Sequence, residues 1–147
     1  SCWFYTCMYP RGNFANRYVT LPLIKTRLLH WINYKYDSPG YLHWGFNAWG
    51  ANGDPFGDFS APANDWPGGD SHIVYPGYRK LYPSIRLAAM RDGIRDYDLL
   101  KMVEARDSIR AQAFVNAIIF DFDRYDTSVS RFRQIRQEIL DFLEDMH

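Results

Sequence analysis

Charge of one sign is missing from this sequence, because seventeen Lys and Arg offset seventeen Asp and Glu for a formal net charge of +0. No global field is available to gather nucleic acid, anionic lipid or a strongly acidic substrate, so the expected ligand is neutral. Cysteine is scarce: Cys2 and Cys7 fall on opposite faces of one expected strand, about 16 Å apart. They cannot bridge each other, and their presence leaves the redox compartment open. No apolar run reaches bilayer-spanning length and no signal-peptide pattern appears, although a leader upstream of Ser1 is compatible with a secreted, periplasmic or cell-surface protein. Glycine-rich phosphate loops are missing as well. The four histidines, His30, His43, His72 and His147, show no paired ligand spacing and neither cysteine joins them, so no metal or other cofactor is expected.

Aromatic residues are abundant. They make up 18% of the chain, and in the first half many lie among Gly, Asn, Asp and Pro rather than in helical stripes. Such rings suit a concave surface for a partly apolar, hydroxyl-rich ligand. Residues 2–8 read as a strand ending at the Tyr9-Pro10-Arg11-Gly12-Asn13 turn cluster. Thr20 is the expected N-cap of a helix whose Leu21, Ile24, Leu28, Trp31 and Ile32 recur at helical spacing and which stops before Ser38-Pro39-Gly40. Residues 41–49 return to strand character, and strand, helix, strand in one sheet means a parallel crossover. Residues 50–82 form a long loop with a short strand at 72–75.

Helices are then expected over 83–106, 108–120 and 128–146. The first has the apolar stripe Leu87, Met90, Ile94, Tyr97, Leu100 and Val103, interrupted by a Gly93 that implies close packing. Because a full eight-unit barrel needs about 250 residues, and the first strand follows Ser1 without a polar leader, the expectation is a truncated chain.

Five ordered segments look familiar together: Trp3-Phe4-Tyr5-Thr6-Cys7-Met8; Asn16-Arg17; residues 40–47; residues 69–77; and Ser84-Ile85-Arg86 with residues 91–97. Their order resembles the C-terminal part of the glycoside hydrolase family 123 catalytic domain and of a related bacterial family of unknown function. The resemblance implies an α/β fold, the C-terminal portion of a (β/α)8 TIM-type barrel with two or three parallel strands and long loops. Residues 1–106 would be barrel and 107–147 a helical extension packed on it. It also implies a retaining β-N-acetylgalactosaminidase-like enzyme in which the sugar's acetamido oxygen attacks the anomeric carbon, an Asp orients the acetamide and a neighbouring Glu protonates the leaving oxygen.

The adjacent Asp-Glu pair of the family does not occur in this sequence. Glu144-Asp145, Glu138 and Glu104 read as solvated helix positions, and Asp121, Asp123 and Asp126 fail the calcium-loop pattern and suit turns and caps. The chain alone is therefore expected to be inactive. It would supply sugar-binding residues to the missing N-terminal part of the same barrel, with a neutral N-acetylhexosaminide glycan as its partner. The alternative is a non-catalytic carbohydrate-binding or surface-interaction protein.

Strand parity selects the expected contacts, since one side of each barrel strand points inward and the site lies at the C-terminal ends. Trp3, Tyr5 and Cys7 share a face, which lets the Tyr5 hydroxyl point inward and, by analogy, bond the acetamido group. Tyr41, His43, Gly45, Asn47 and Trp49 form the expected inward face of the next strand, with Asn47 a buried amide that bonds hydroxyls and Trp49 a stacking platform. Parity places Trp44 under the helices unless a bulge at Gly45 turns it. Asp70 either bonds a hydroxyl or shapes an Asx-turn.

Overall fold

The computed structural model describes residues 2–49, 54–57 and 66–145. Two short strands, β1 (Phe4–Thr6) and β2 (Tyr41–His43), pair in parallel across the helix α1 (Leu23–Lys35). A hairpin of β3 (Val74–Gly77) and β4 (Lys80–Pro83) leads into α2 (Ile85–Glu104), α3 (Ser108–Asn116) and α4 (Val129–Glu144). The fold is thus α/β with one parallel pair and one antiparallel pair, and the described residues close no barrel. Among them no helix is long and apolar enough to cross a membrane.

α1 lies at the centre. Residues 28–34 are all buried, the pattern of a helix enclosed on every side rather than one resting on a surface. His30 meets Tyr41 of β2 edge to face, while Trp31 packs on Phe132 of α4. The core unites Leu28, Trp31 and Ile32 with Leu100, Phe114, Ile135 and Ile139, so the last two helices share one apolar interior with the crossover unit.

The hydrogen-bonding ends of the helices are closed by short polar side chains, as unpaired backbone N–H groups require. Ser84 accepts from Leu87 N–H, Asp107 from Arg110 N–H and Ser128 from Arg131 N–H. α1 starts instead at Pro22, with no side-chain cap, in place of the expected Thr20.

The buried face of α2 differs from the expected stripe. Arg86, Ala89, Gly93, Asp96, Leu100 and Val103 are buried, whereas Ile94 is exposed. Small residues turn inward because α1 comes very close: a Cβ at Gly93 would lie 2.5 Å from the Arg27 carbonyl oxygen. Asp96 follows them in because Arg27 and Arg136 meet it there, at 2.6 and 2.9 Å.

The second strand is shorter than expected. It ends at His43, and the chain beyond runs beside residues 71–73, with Ile73 N–H donating to Phe46 O and Ala48 N–H to Ser71 O. The hairpin partner β4 was hidden in the sequence, where Pro76 and Pro83 argue against strands. Those prolines sit in a two-stranded ribbon with free edges, the place where a missing N–H is tolerated.

Candidate carbohydrate site

The register of β1 with β2 sets Tyr5 beside Leu42 and Thr6 beside His43. Side chains alternate along each strand, so Tyr5 and Leu42 share one face while Phe4, Thr6, Tyr41 and His43 share the other. The second face is covered: Thr6 is fully buried and its hydroxyl lies 2.5 Å from that of Tyr41, and Phe4 and Tyr41 adjoin the core. The first is open, with Tyr5 45% and Leu42 52% exposed. The two expected inward sets, Tyr5 with its neighbours and Tyr41 with His43, therefore lie on opposite faces. Parity fixes alternation within a strand, but only the register between strands relates one alternation to the next.

Beyond β2, Gly45 lets the backbone press against the loop before β3. A Cβ there would stand 2.5 Å from the Ser71 carbonyl oxygen and 2.8 Å from that of Asp70. This approach carries Asp70 to the end of β2, where it is 1% exposed. Its Oδ2 accepts from Trp44 Nε1–H at 2.9 Å. On the other side His43 Nε2 approaches Oδ1 to 3.2 Å, along a line too bent for a well-formed hydrogen bond.

Gly45 N–H donates to His43 Nδ1 at 3.2 Å, so Nδ1 is the acceptor nitrogen and Nε2 carries the hydrogen facing Asp70. Burial lowers the His43 pKa below its ordinary value, opposed by the adjacent Asp70 carboxyl and reinforced by the charge of Arg17. A neutral imidazole and an indole thus flank the carboxylate.

Two buried arginines brace this loop from behind. Arg86 Nη1 donates to Arg17 O and Gly69 O, each at 2.8 Å, and Arg17 Nη2 donates to Asp70 O at 3.2 Å. Burial depresses the Arg17 pKa to about 10, which still leaves it charged at neutral pH. The next residues, Ser71 and His72, touch through Oγ and Nδ1 at 3.1 Å. Both are almost fully buried, which removes them from contact with any substrate in this fold. The His72 pKa falls to about 4, first through burial and then through Arg86 and Arg17.

The five expected contacts separate into two groups. Trp44 and Asp70 meet at the end of the parallel pair, with Tyr5 on the open face of β1. Trp44 is 39% exposed, stands edge-on to Trp66 at 5.3 Å and lies roughly parallel to His43. It is not under the helices, because it continues the alternation of Leu42, whose face the register leaves open, and the Asp70 bond holds its polar edge there. Tyr5 has its pKa raised by burial first, then by Cys7, with Asp70 also contributing, and it presents a protonated hydroxyl at neutral pH. Asp70 serves as a fixed acceptor inside the wall rather than as an Asx-turn cap.

Asn47 and Trp49 belong elsewhere. Asn47 is exposed, not buried, in a bridge with His72, and Trp49 Nε1 donates to Val74 O at 2.7 Å, tying the indole to the hairpin. Sequence reasoning gave no role to His43, Arg17 or Arg86. The segments containing them were visible, but contacts spanning up to 69 residues leave no local pattern.

The family model described as Glycoside hydrolase 123, catalytic domain, matches residues 1–103. That span holds β1 through nearly all of α2, including Trp44, Asp70 and both bracing arginines. No curated protein matches the chain.

Proposed function

The chain belongs to the glycoside hydrolase 123 catalytic-domain family, and on that premise we propose that it forms one wall of a retaining β-N-acetylgalactosaminidase-like site. The observation that carries this reading is the Trp44 indole, whose N–H is fixed by buried Asp70 at 2.9 Å while the ring stays partly open. An aromatic ring held at its polar edge offers its face to a pyranose without losing orientational freedom on binding. The Tyr5 hydroxyl is a neutral donor suited to an acetamido oxygen.

In substrate assistance the acetamido oxygen bonds to C1 as the bond from C1 to the leaving oxygen breaks. A carboxylic acid gives its proton to that oxygen, and a second carboxylate steadies the acetamide nitrogen as positive charge develops. Water then opens the cyclic intermediate at C1 and retention results. The proposal assigns both acids to another strand, since residues 1–147 contain no adjacent Asp-Glu and Asp70 is committed to Trp44. The open Tyr5–Leu42 face supports a site completed by further strands.

The test is hydrolysis of a chromogenic β-N-acetylgalactosaminide by the intact protein. Trp44→Ala is expected to lower kcat/KM by about 10²-fold and Tyr5→Phe by about tenfold, as loss of a stacking platform and of one transition-state hydrogen bond would. Asn47→Ala, lying toward the hairpin, is expected to fall less than either. Unchanged efficiency in both Trp44→Ala and Tyr5→Phe removes the site.

A further inference from the structure

Between α1, α2 and α4 lies a polar cleft of about 480 Å³ lined by Arg27, Arg91, Arg95, Arg133 and Arg136 together with Asp92. It shares no lining residue with the Asp70 site. Asp96 sits beneath it, 1% exposed, so two carboxylates face five guanidinium groups. In a chain without net charge this is a concentrated surplus of positive charge.

The arginines are not equally engaged. Asp96 takes Arg27 through both Nε and Nη2, at 2.6 and 2.9 Å. It takes Arg136 through Nε alone, at 2.9 Å. Arg27 also lies over the Phe132 ring at 4.7 Å, which completes a rigid floor. Asp92 is occupied by Arg91 at 3.0 Å, and Arg95 reaches it only at 3.9 Å. Among the described residues Arg133 has no hydrogen-bond or ion-pair partner, and the terminal nitrogens of Arg136 make no hydrogen bond. Three guanidinium groups, from two helices, therefore face the cleft with donors to spare.

We propose that this cleft binds a tetrahedral oxyanion, a sulfate or phosphate group, between Arg95, Arg133 and Arg136. Guanidinium forks bond such groups in pairs of parallel N–H···O contacts. A planar carboxylate offers two oxygens, whereas a tetrahedral group offers three or four to donors arriving from different helices. Arg136 is held in place by Asp96 before the ligand arrives, which reduces the ordering needed on binding. The site does not depend on the sugar reading of the Asp70 wall.

Calorimetric titration of the intact protein with inorganic sulfate and with inorganic phosphate, at ionic strength matched by sodium chloride, tests it. Saturable one-to-one uptake of at least one ion is expected, weakened about tenfold or more in Arg95→Gln and in Arg133→Gln and unchanged in Arg79→Gln, a hairpin-turn control. Both cleft arginines are exposed, so their replacement leaves the core intact. Absence of saturable uptake, or equal weakening in Arg79→Gln, overturns the proposal. N-acetylgalactosamine 6-sulfate in a parallel titration identifies the source: tighter binding than inorganic sulfate supports an ester ligand, and equal binding supports the free ion.

Discussion

At the residue scale, Asp96 and Asp70 show how buried carboxylates act here as organisers. Asp96 accepts from Arg27 twice, from Arg136 and from Trp31 Nε1 at 3.2 Å. It thereby joins three helices at one point. Asp96→Ala strands those donors, and the cost expected is about 3–5 kcal/mol, the range for breaking a buried ion pair from one side. Chemical denaturation checks this; a loss within about 0.5 kcal/mol, the span of ordinary surface changes, would contradict it. Asp70 does the same for Trp44 and stands 3.2 Å from His43. At this scale the sequence showed which residue types mattered but not whom they met. Tyr5 is legible as a candidate through strand parity, Trp44 through its place in a familiar segment and Asp70 through its turn between Gly69 and Ser71. The expected Asn47 and Trp49 contacts did not join them, because β2 stops at His43 and the following backbone leaves strand geometry.

At the element scale, helix periodicity was the most readable signal. α2 (Ile85–Glu104) and α4 (Val129–Glu144) begin and end close to the expected 83–106 and 128–146. The face of α2 that turns inward was less readable, because close approach rewards small residues while a hydrophobic stripe points to large ones. Gly93→Ala tests that account. A methyl group there would meet the Arg27 carbonyl oxygen at 2.5 Å and His30 Cδ2 at 3.1 Å. The helix-propensity gain of about 1 kcal/mol should be outweighed by an overpacking cost of about 1–3 kcal/mol. A lower Tm is the expected result, and a raised Tm would show that α1 and α2 can separate freely. Strands were harder to read. The hairpin β3–β4 contains Pro76 and Pro83, and proline reads locally as a breaker even where an edge accepts it.

At the scale of the whole molecule, buried histidines tie the fold to pH. Burial lowers His30 to about 4, offset in part by Asp96, and His72 to about 4, with Arg86 and Arg17 adding to the effect. Both are neutral in the folded chain, whereas unfolded histidine takes up a proton near pH 6.5. The unfolded state therefore binds more protons in that window, so stability rises with pH and is lost as pH falls from about 6.5 to about 4. Each histidine contributes on the order of 2 kcal/mol to that loss at pH 5. Scanning calorimetry should give a clearly lower Tm at pH 5 than at pH 7; equal values would contradict neutral burial. The central claim is the proposed wall of Trp44, Asp70 and Tyr5, which no single element supplies: Tyr5 comes from β1, and the close passage at Gly45 brings Asp70 to Trp44. Its most direct test is a crystal structure of the intact protein with N-acetylgalactosamine bound. The account predicts the pyranose ring stacked on the Trp44 indole with the acetamido group toward the Tyr5 hydroxyl; a sugar seated away from Trp44, with Asp70 still bonded to an unoccupied indole, would contradict it.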